Sequence, residues 1–101
     1  MSSKFLDYIA TQEKPVLADF WAEWCGPCRM MHPVLEGLSK EWKDKATVVK
    51  INTDEQPDLA QRYDIRSIPT LILFDKGKEV HRVSGAMPTH ALKAQFSRWV
   101  A

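Results

Sequence analysis

The apolar positions of this chain recur with helical and strand periods in turn, and their order lays out its elements. Phe5, Leu6 and Ile9 share one face of a short helix that Ser3 is placed to cap and Lys14-Pro15 to end. Residues 16–21 alternate, with Val16, Ala18 and Phe20 on one side and Leu17, Asp19 and Trp21 on the other. A strand apolar on both faces is a central one, covered on both sides. That makes Asp19 an anomaly, a carboxylate on the face of Leu17 and Trp21. From Gly26 to about Lys43 the positions Met31, Val34, Leu35, Leu38 and Trp42 fall at helical spacing, with Pro33 expected to kink that helix rather than break it.

The β-branched run 46–52 reads as the next strand, and strand–helix–strand predicts a parallel, right-handed pair. Pro57 fits the first turn of a short helix carrying Leu59, Ala60 and Tyr63. Residues 70–74 form a second fully apolar strand, and Asp75-Lys76-Gly77-Lys78 turns it into a hairpin partner over 79–83. After the loop Ser84-Gly85-Ala86, Pro88 opens a last helix that buries Leu92, Phe96, Trp99 and Val100.

Composition narrows the field without naming a function. The 101 residues make one domain, 1–101, and 45% hydrophobic with 27% charged residues is ordinary for a soluble globular chain. A formal charge of +1 without Lys/Arg blocks argues against nucleic acid. No apolar run approaches the ~20 residues of a membrane span, and the first residues lack the apolar core of a signal peptide, so the expected compartment is the cytoplasm.

The chemistry concentrates at Cys25-Gly26-Pro27-Cys28, which holds the only two cysteines. The loop they close is too short to restrict the unfolded chain, so a structural staple is not the reading. Zinc would need two further ligands, and His32, His81 and His90 are not at finger spacing. No metal and no cofactor is expected. Cys25 instead stands at a helix N-terminus, where unpaired N–H groups and the helix dipole favour a thiolate, the form that attacks disulfides. Cys28 lies one turn on, within reach of it. Gly26 leaves room for a substrate backbone, and Pro27 has no N–H to waste in a first turn.

Exchange runs through a mixed disulfide on Cys25, which Cys28 must then resolve after losing its proton. Asp19 is the candidate base, since burial would raise its pKa towards the working range; its alternative is a solvated strand carboxylate. Lys50, on the neighbouring strand, either tunes Asp19 by its charge or extends to water.

The stretch Ala18-Asp19-Phe20-Trp21-Ala22-Glu23-Trp24-Cys25-Gly26-Pro27-Cys28, followed by Pro33, Asp64-Ile65-Arg66-Ser67-Ile68-Pro69-Thr70 and Gly85-Ala86, resembles the thioredoxin family over roughly residues 5–100. The resemblance implies an α/β thioredoxin fold with helices on both faces of a mixed sheet. It implies a redox-active disulfide of Cys25, the attacking thiol, with Cys28, the resolving one, and Asp19 as buried acid/base beside Lys50. It also implies a cis Ile68-Pro69 bond facing the disulfide. Substrate would dock on Trp24, Gly26, Pro27, Ser67, Ile68, Pro69, Gly85 and Ala86, while Trp21 packs beneath.

Three positions depart from the family's best-known bacterial members. Ser67 replaces glycine, His32 replaces an apolar residue, and a first β-strand is missing from the start. The expected sheet therefore has four strands with 46–52 at an edge open to pairing. The function implied is reduction of protein disulfides, with thioredoxin reductase or an equivalent as electron source and disulfide-containing proteins as substrates. The chain would act as a monomer, with an edge-strand dimer as the other possibility. Alternatives are a dedicated electron donor to one redox enzyme and a non-catalytic binding or chaperone module on the same fold.

Overall fold

A computed structural model describes residues 3–100. The element order is α1 (Ser3–Thr11), β1 (Val16–Trp21), α2 (Gly26–Glu41), β2 (Thr47–Asn52), α3 (Pro57–Arg62), β3 (Thr70–Asp75), β4 (Lys78–Ser84) and α4 (Thr89–Phe96). The strands form one mixed sheet in the order β2-β1-β3-β4, with β1 parallel to β2 and antiparallel to β3. Among the described residues β2 is an edge, as expected for a four-stranded sheet. The expected cap by Ser3 lies outside the described side chains.

Helices cover both faces because β1 and β3 are apolar on both. Leu17, Leu71 and Leu73 pack with Met31, Leu35 and Leu38 of α2 and with Leu92 and Phe96 of α4. Val16, Ala18, Phe20, Ile72 and Phe74 turn the other way, onto Ile9 of α1 and Leu59 of α3. The buried face of α2 reads Cys28, Met31, Leu35, Leu38, a continuous helical stripe. Cys28 is therefore the sheet-facing residue of the helix's first turn. The α2 helix runs through Pro33 unbroken.

The last helix departs from expectation at both ends. Pro88 is its N-cap residue rather than part of its first turn, and the helix stops at Phe96. Trp99 and Val100 follow in a turn whose N–H groups both donate to the Phe96 carbonyl, at 3.0 and 3.1 Å. Val100 is buried there as expected, while Trp99 is only half-buried.

Two turns place the segments that matter. Lys76 and Gly77 both adopt positive φ, 53° and 87°, as the two-residue hairpin between Asp75 and Lys78 requires. After α3, Asp64 takes φ 53°, and the Ile65 N–H closes on the Ala60 carbonyl at 2.9 Å while the Asp64 N–H reaches Gln61 at 3.1 Å. This left-handed stop ends the helix and turns the chain into the segment 65–69.

Candidate active site

The site begins where β1 ends. Cys25 is the N-cap residue of α2, with extended backbone, and its sulfur accepts the Cys28 N–H at 3.2 Å. A sulfur thus takes the role usually filled by a Ser or Asp oxygen, and partial positive charge converges on it. Pro27 sits in the first turn, where a missing N–H leaves nothing unpaired. Cys25 and Cys28 form a disulfide with 5.2 Å between their Cα atoms.

Burial separates the two sulfurs only slightly. Cys28 is fully buried, and Cys25 is itself only 4% exposed. The cause is the segment facing it. Ile68 packs on the Ala22, Cys25, Cys28 cluster, and its carbonyl oxygen lies 3.7 Å from the Cys25 sulfur. The Ile68–Pro69 bond is cis. That segment is pinned from behind. Gly85 donates its N–H to the Pro69 carbonyl at 2.8 Å, and the Thr70 hydroxyl reaches the Ser67 carbonyl at 2.6 Å and the Ser84 hydroxyl at 2.9 Å. Ser67, Pro69, Gly85 and Ala86 are thereby brought to one ridge beside the disulfide.

Gly26 has no positive φ, and a Cβ there would meet nothing closer than the Arg29 guanidinium at 4.0 Å. Nothing within the described residues requires glycine at this position. Trp24 is 69% exposed at the rim, its indole N–H held by the Asp54 carboxylate at 2.9 Å. Trp21 packs on the cysteine cluster from below, edge-on to His32 with 4.9 Å between ring centroids.

Asp19 lies in the same layer as Cys28, between α2 and the sheet. It shares the β1 face of Leu17, which packs on α2, and its register partners are Lys50 on β2 and Leu71 on β3. It is fully buried, and neither carboxylate oxygen has a hydrogen-bond partner among the described residues. Removal from water pushes its pKa up to about 7, against the opposing pull of the Lys50 charge. The solvated-carboxylate alternative is excluded by this burial. The Lys50 side chain is exposed, and its charge bears on Asp19. His32, one turn after Cys28, has a buried Nε2 with no hydrogen-bond partner among the described residues; burial first, then Lys50 and Arg29, lower its pKa.

Two grooves flank the disulfide. One, of about 330 Å³, is lined by Trp24, Thr53, Ala60, Ile65, Arg66, Ser67 and Ile68. The other, of about 340 Å³, is lined by Met30, Met31, Val34, Ala86, Met87 and Pro88. Among the described residues, no three or more His, Cys, Asp or Glu side chains gather as a metal site.

Asp54 escaped the reading of the sequence. The available signal was positional: it follows β2, the parallel neighbour of β1, and loops at the carboxyl ends of adjacent parallel strands meet at the same edge. An Asx-type turn fixes it there, with the Asn52 side chain accepting the Asp54 N–H at 2.9 Å.

Two sulfurs that form a disulfide at a helix N-terminus are the redox couple of a thiol–disulfide oxidoreductase. That is the class this fold and site define. The thioredoxin family model matches residues 1–98. A thioredoxin of Synechocystis sp. is 46% identical over 97% of this chain and 92% of its own length. Thioredoxin 1 of Nostoc sp. is 49% identical over 95% and 90%. A solved thioredoxin from Halobacterium salinarum NRC-1, a point mutant, superposes with a TM-score of 0.85 at 42% identity, covering 95% of this chain and 83% of that one. The chain belongs to the thioredoxin family, and it is a protein-disulfide reductase.

Proposed function

We propose that residues 1–101 work as one domain in which Cys25 attacks target disulfides, Cys28 resolves the product and Asp19 handles the proton between them. The observation that carries this reading is the asymmetry of the pair: Cys25 retains the only solvent access, and fully buried Cys28 shares a layer with an unpaired carboxylate. In the reduced protein the Cys25 thiolate attacks one sulfur of the target. A Cys25–target bond forms, the target's own S–S bond breaks, and its first thiolate leaves and takes up a proton. Cys28 then gives its proton to Asp19 and attacks the Cys25 sulfur. The mixed disulfide breaks, the second target thiol departs, and the Cys25–Cys28 disulfide is left.

Two electrons have moved to the target, and thioredoxin reductase or an equivalent returns them. A base with a pKa of about 7 is half ionised at neutral pH, so Asp19 is matched to accept a proton and later release it. Lys50 tunes that carboxylate. Trp24, Gly26, Pro27, Ser67, Ile68, Pro69, Gly85 and Ala86 form the surface on which the target lies, and Trp21 supports it from below. The compartment is the cytoplasm; no helix among the described residues is long and apolar enough to cross a membrane. The protein works as a monomer, the exposed Lys50 guarding its edge strand against pairing with another copy.

The test is turnover of insulin disulfides with dithiothreitol as reductant. Cys25→Ser is expected to abolish it, and an unchanged rate would sink the assignment. Cys28→Ser is expected to hold target proteins as mixed disulfides, whose identities show whether one partner or many are served.

A further inference from the structure

Among the described residues the exposed large apolar side chains are Trp24 and Met30, at 69% and 70% exposure. Each rims one of the two grooves, and the Pro69–Gly85 hydrogen bond marks the ridge between them. Met30 gives nothing to the fold, since the buried stripe of α2 is Cys28, Met31, Leu35 and Leu38. The Met30 groove is lined by apolar side chains alone, and three of the six are methionines. Met87 is bound to its neighbour by an N–H···Sδ contact of 3.3 Å to Met31, which joins the α4 side to the α2 side. Thioethers on flexible stems adapt to side chains of different shape. Ala86 belongs both to the docking ridge and to this groove, so the groove continues the surface that a target must cover.

We infer that the groove of Met30, Val34 and Met87 is a second substrate subsite. It takes one bulky apolar side chain, leucine- to phenylalanine-sized, two residues from the target cysteine. The inference rests on the reading of Cys25 as the attacking thiol. A target strand that directs its cysteine at Cys25 points its residues at −2 and +2 the same way, each about 7 Å along the strand. One of them falls on the Trp24 side of the ridge and the other on the Met30 side.

The experiment uses symmetrical peptide disulfides carrying Leu or Gln at −2 or at +2, reduced by the dithiol form of the whole chain in stopped flow. Leu at one of these positions is expected to raise the second-order rate about tenfold over Gln. Met30→Lys is expected to remove that advantage and leave the other position unaffected, and Met30→Leu to retain it. Hydroxyethyl disulfide, too small to reach the groove, is expected to react equally with wild type and Met30→Lys. The proposal fails if the Leu advantage survives Met30→Lys at both positions, or if wild type shows none. It also fails if Met30→Lys slows hydroxyethyl disulfide to the same degree, because the effect would then lie on the thiol. Self-association of wild type lost in Met30→Lys would overturn it by placing a second copy in the groove. No reaction of wild type with hydroxyethyl disulfide would instead overturn the assignment of Cys25, and the subsite with it.

Discussion

Asp19 ought to destabilise the folded protein at neutral pH. Its pKa in the unfolded chain is the ordinary 3.8, whereas burial without hydrogen-bond partners raises it to about 7 in the fold. Between those values the folded state holds a proton that the unfolded state has released. Stability therefore falls as pH rises through this window and levels off above about 7. A difference of about 3 pKa units at 1.36 kcal/mol each is about 4 kcal/mol, large beside the 5–15 kcal/mol that typically holds a domain together. Asp19→Ala removes the charge and leaves a small cavity, worth roughly 1 kcal/mol of loss.

The oxidised variant should thus be about 3 kcal/mol more stable than wild type at pH 8. Near pH 4, where the wild-type carboxyl is neutral in the fold, it should be slightly less stable. With an m-value of about 1.5 kcal/mol per molar urea, the midpoint at pH 8 moves up by roughly 2 M. The assay is urea denaturation of the disulfide form, followed by circular dichroism at half-unit steps from pH 4 to 8. In that form no thiol titrates, so the pH dependence that differs between the two proteins belongs to Asp19. Stability curves that run parallel across the window would refute the argument, because no pKa shift of this size could then exist.

Other outcomes follow from the same geometry. Lys50→Met removes a cation that lowers the pKa of both Asp19 and His32, so both should titrate at higher pH in carboxyl and imidazole NMR. A shift in only one would mean that the Lys50 charge does not act on both groups. Asp54→Ala frees the indole N–H of exposed Trp24; stability should change by less than about 0.5 kcal/mol, while Trp24 fluorescence shifts and protein disulfides are reduced more slowly. Gly77→Ala should cost about 1–3 kcal/mol in thermal or urea denaturation, since its φ is +87° and a Cβ would stand 3.2 Å from the Ala10 backbone.

Periodicity carried the fold well because each buried face of this chain is written in one stretch of sequence. The two-sided apolar runs of β1 and β3 require cover on both faces, and helices supply it. The turn at Lys76-Gly77 was equally local. The site divides differently. Cys25, Pro27 and the start of α2 are local and were legible. The opposing wall is not: an X-Pro bond in a folded protein is cis only ~5–6% of the time, so the Ile68–Pro69 geometry was reached through family resemblance rather than through the residues themselves. The burial of Cys25 has the same origin, since Ile68 comes from 43 residues away.

Distance along the chain also explains what went unread. Asp54 reaches Trp24 across 30 residues, and Met87 meets Met31 across 56, so no window of sequence shows either pair. Asp19 is the informative intermediate. Leu17 and Trp21 on its own strand face favoured its burial, with a solvated carboxylate as the alternative. That it would remain without a hydrogen-bond partner did not follow from its own strand, because its lateral neighbours are Lys50, whose side chain is exposed, and Leu71, which has no donor to offer. Apolar packing that fills a core would ordinarily exclude such a carboxylate, and its retention is expected to cost the fold about 4 kcal/mol above neutral pH. Under the proposed mechanism, a residue so unfavourable to the fold is accounted for by the proton that Cys28 would have to lose.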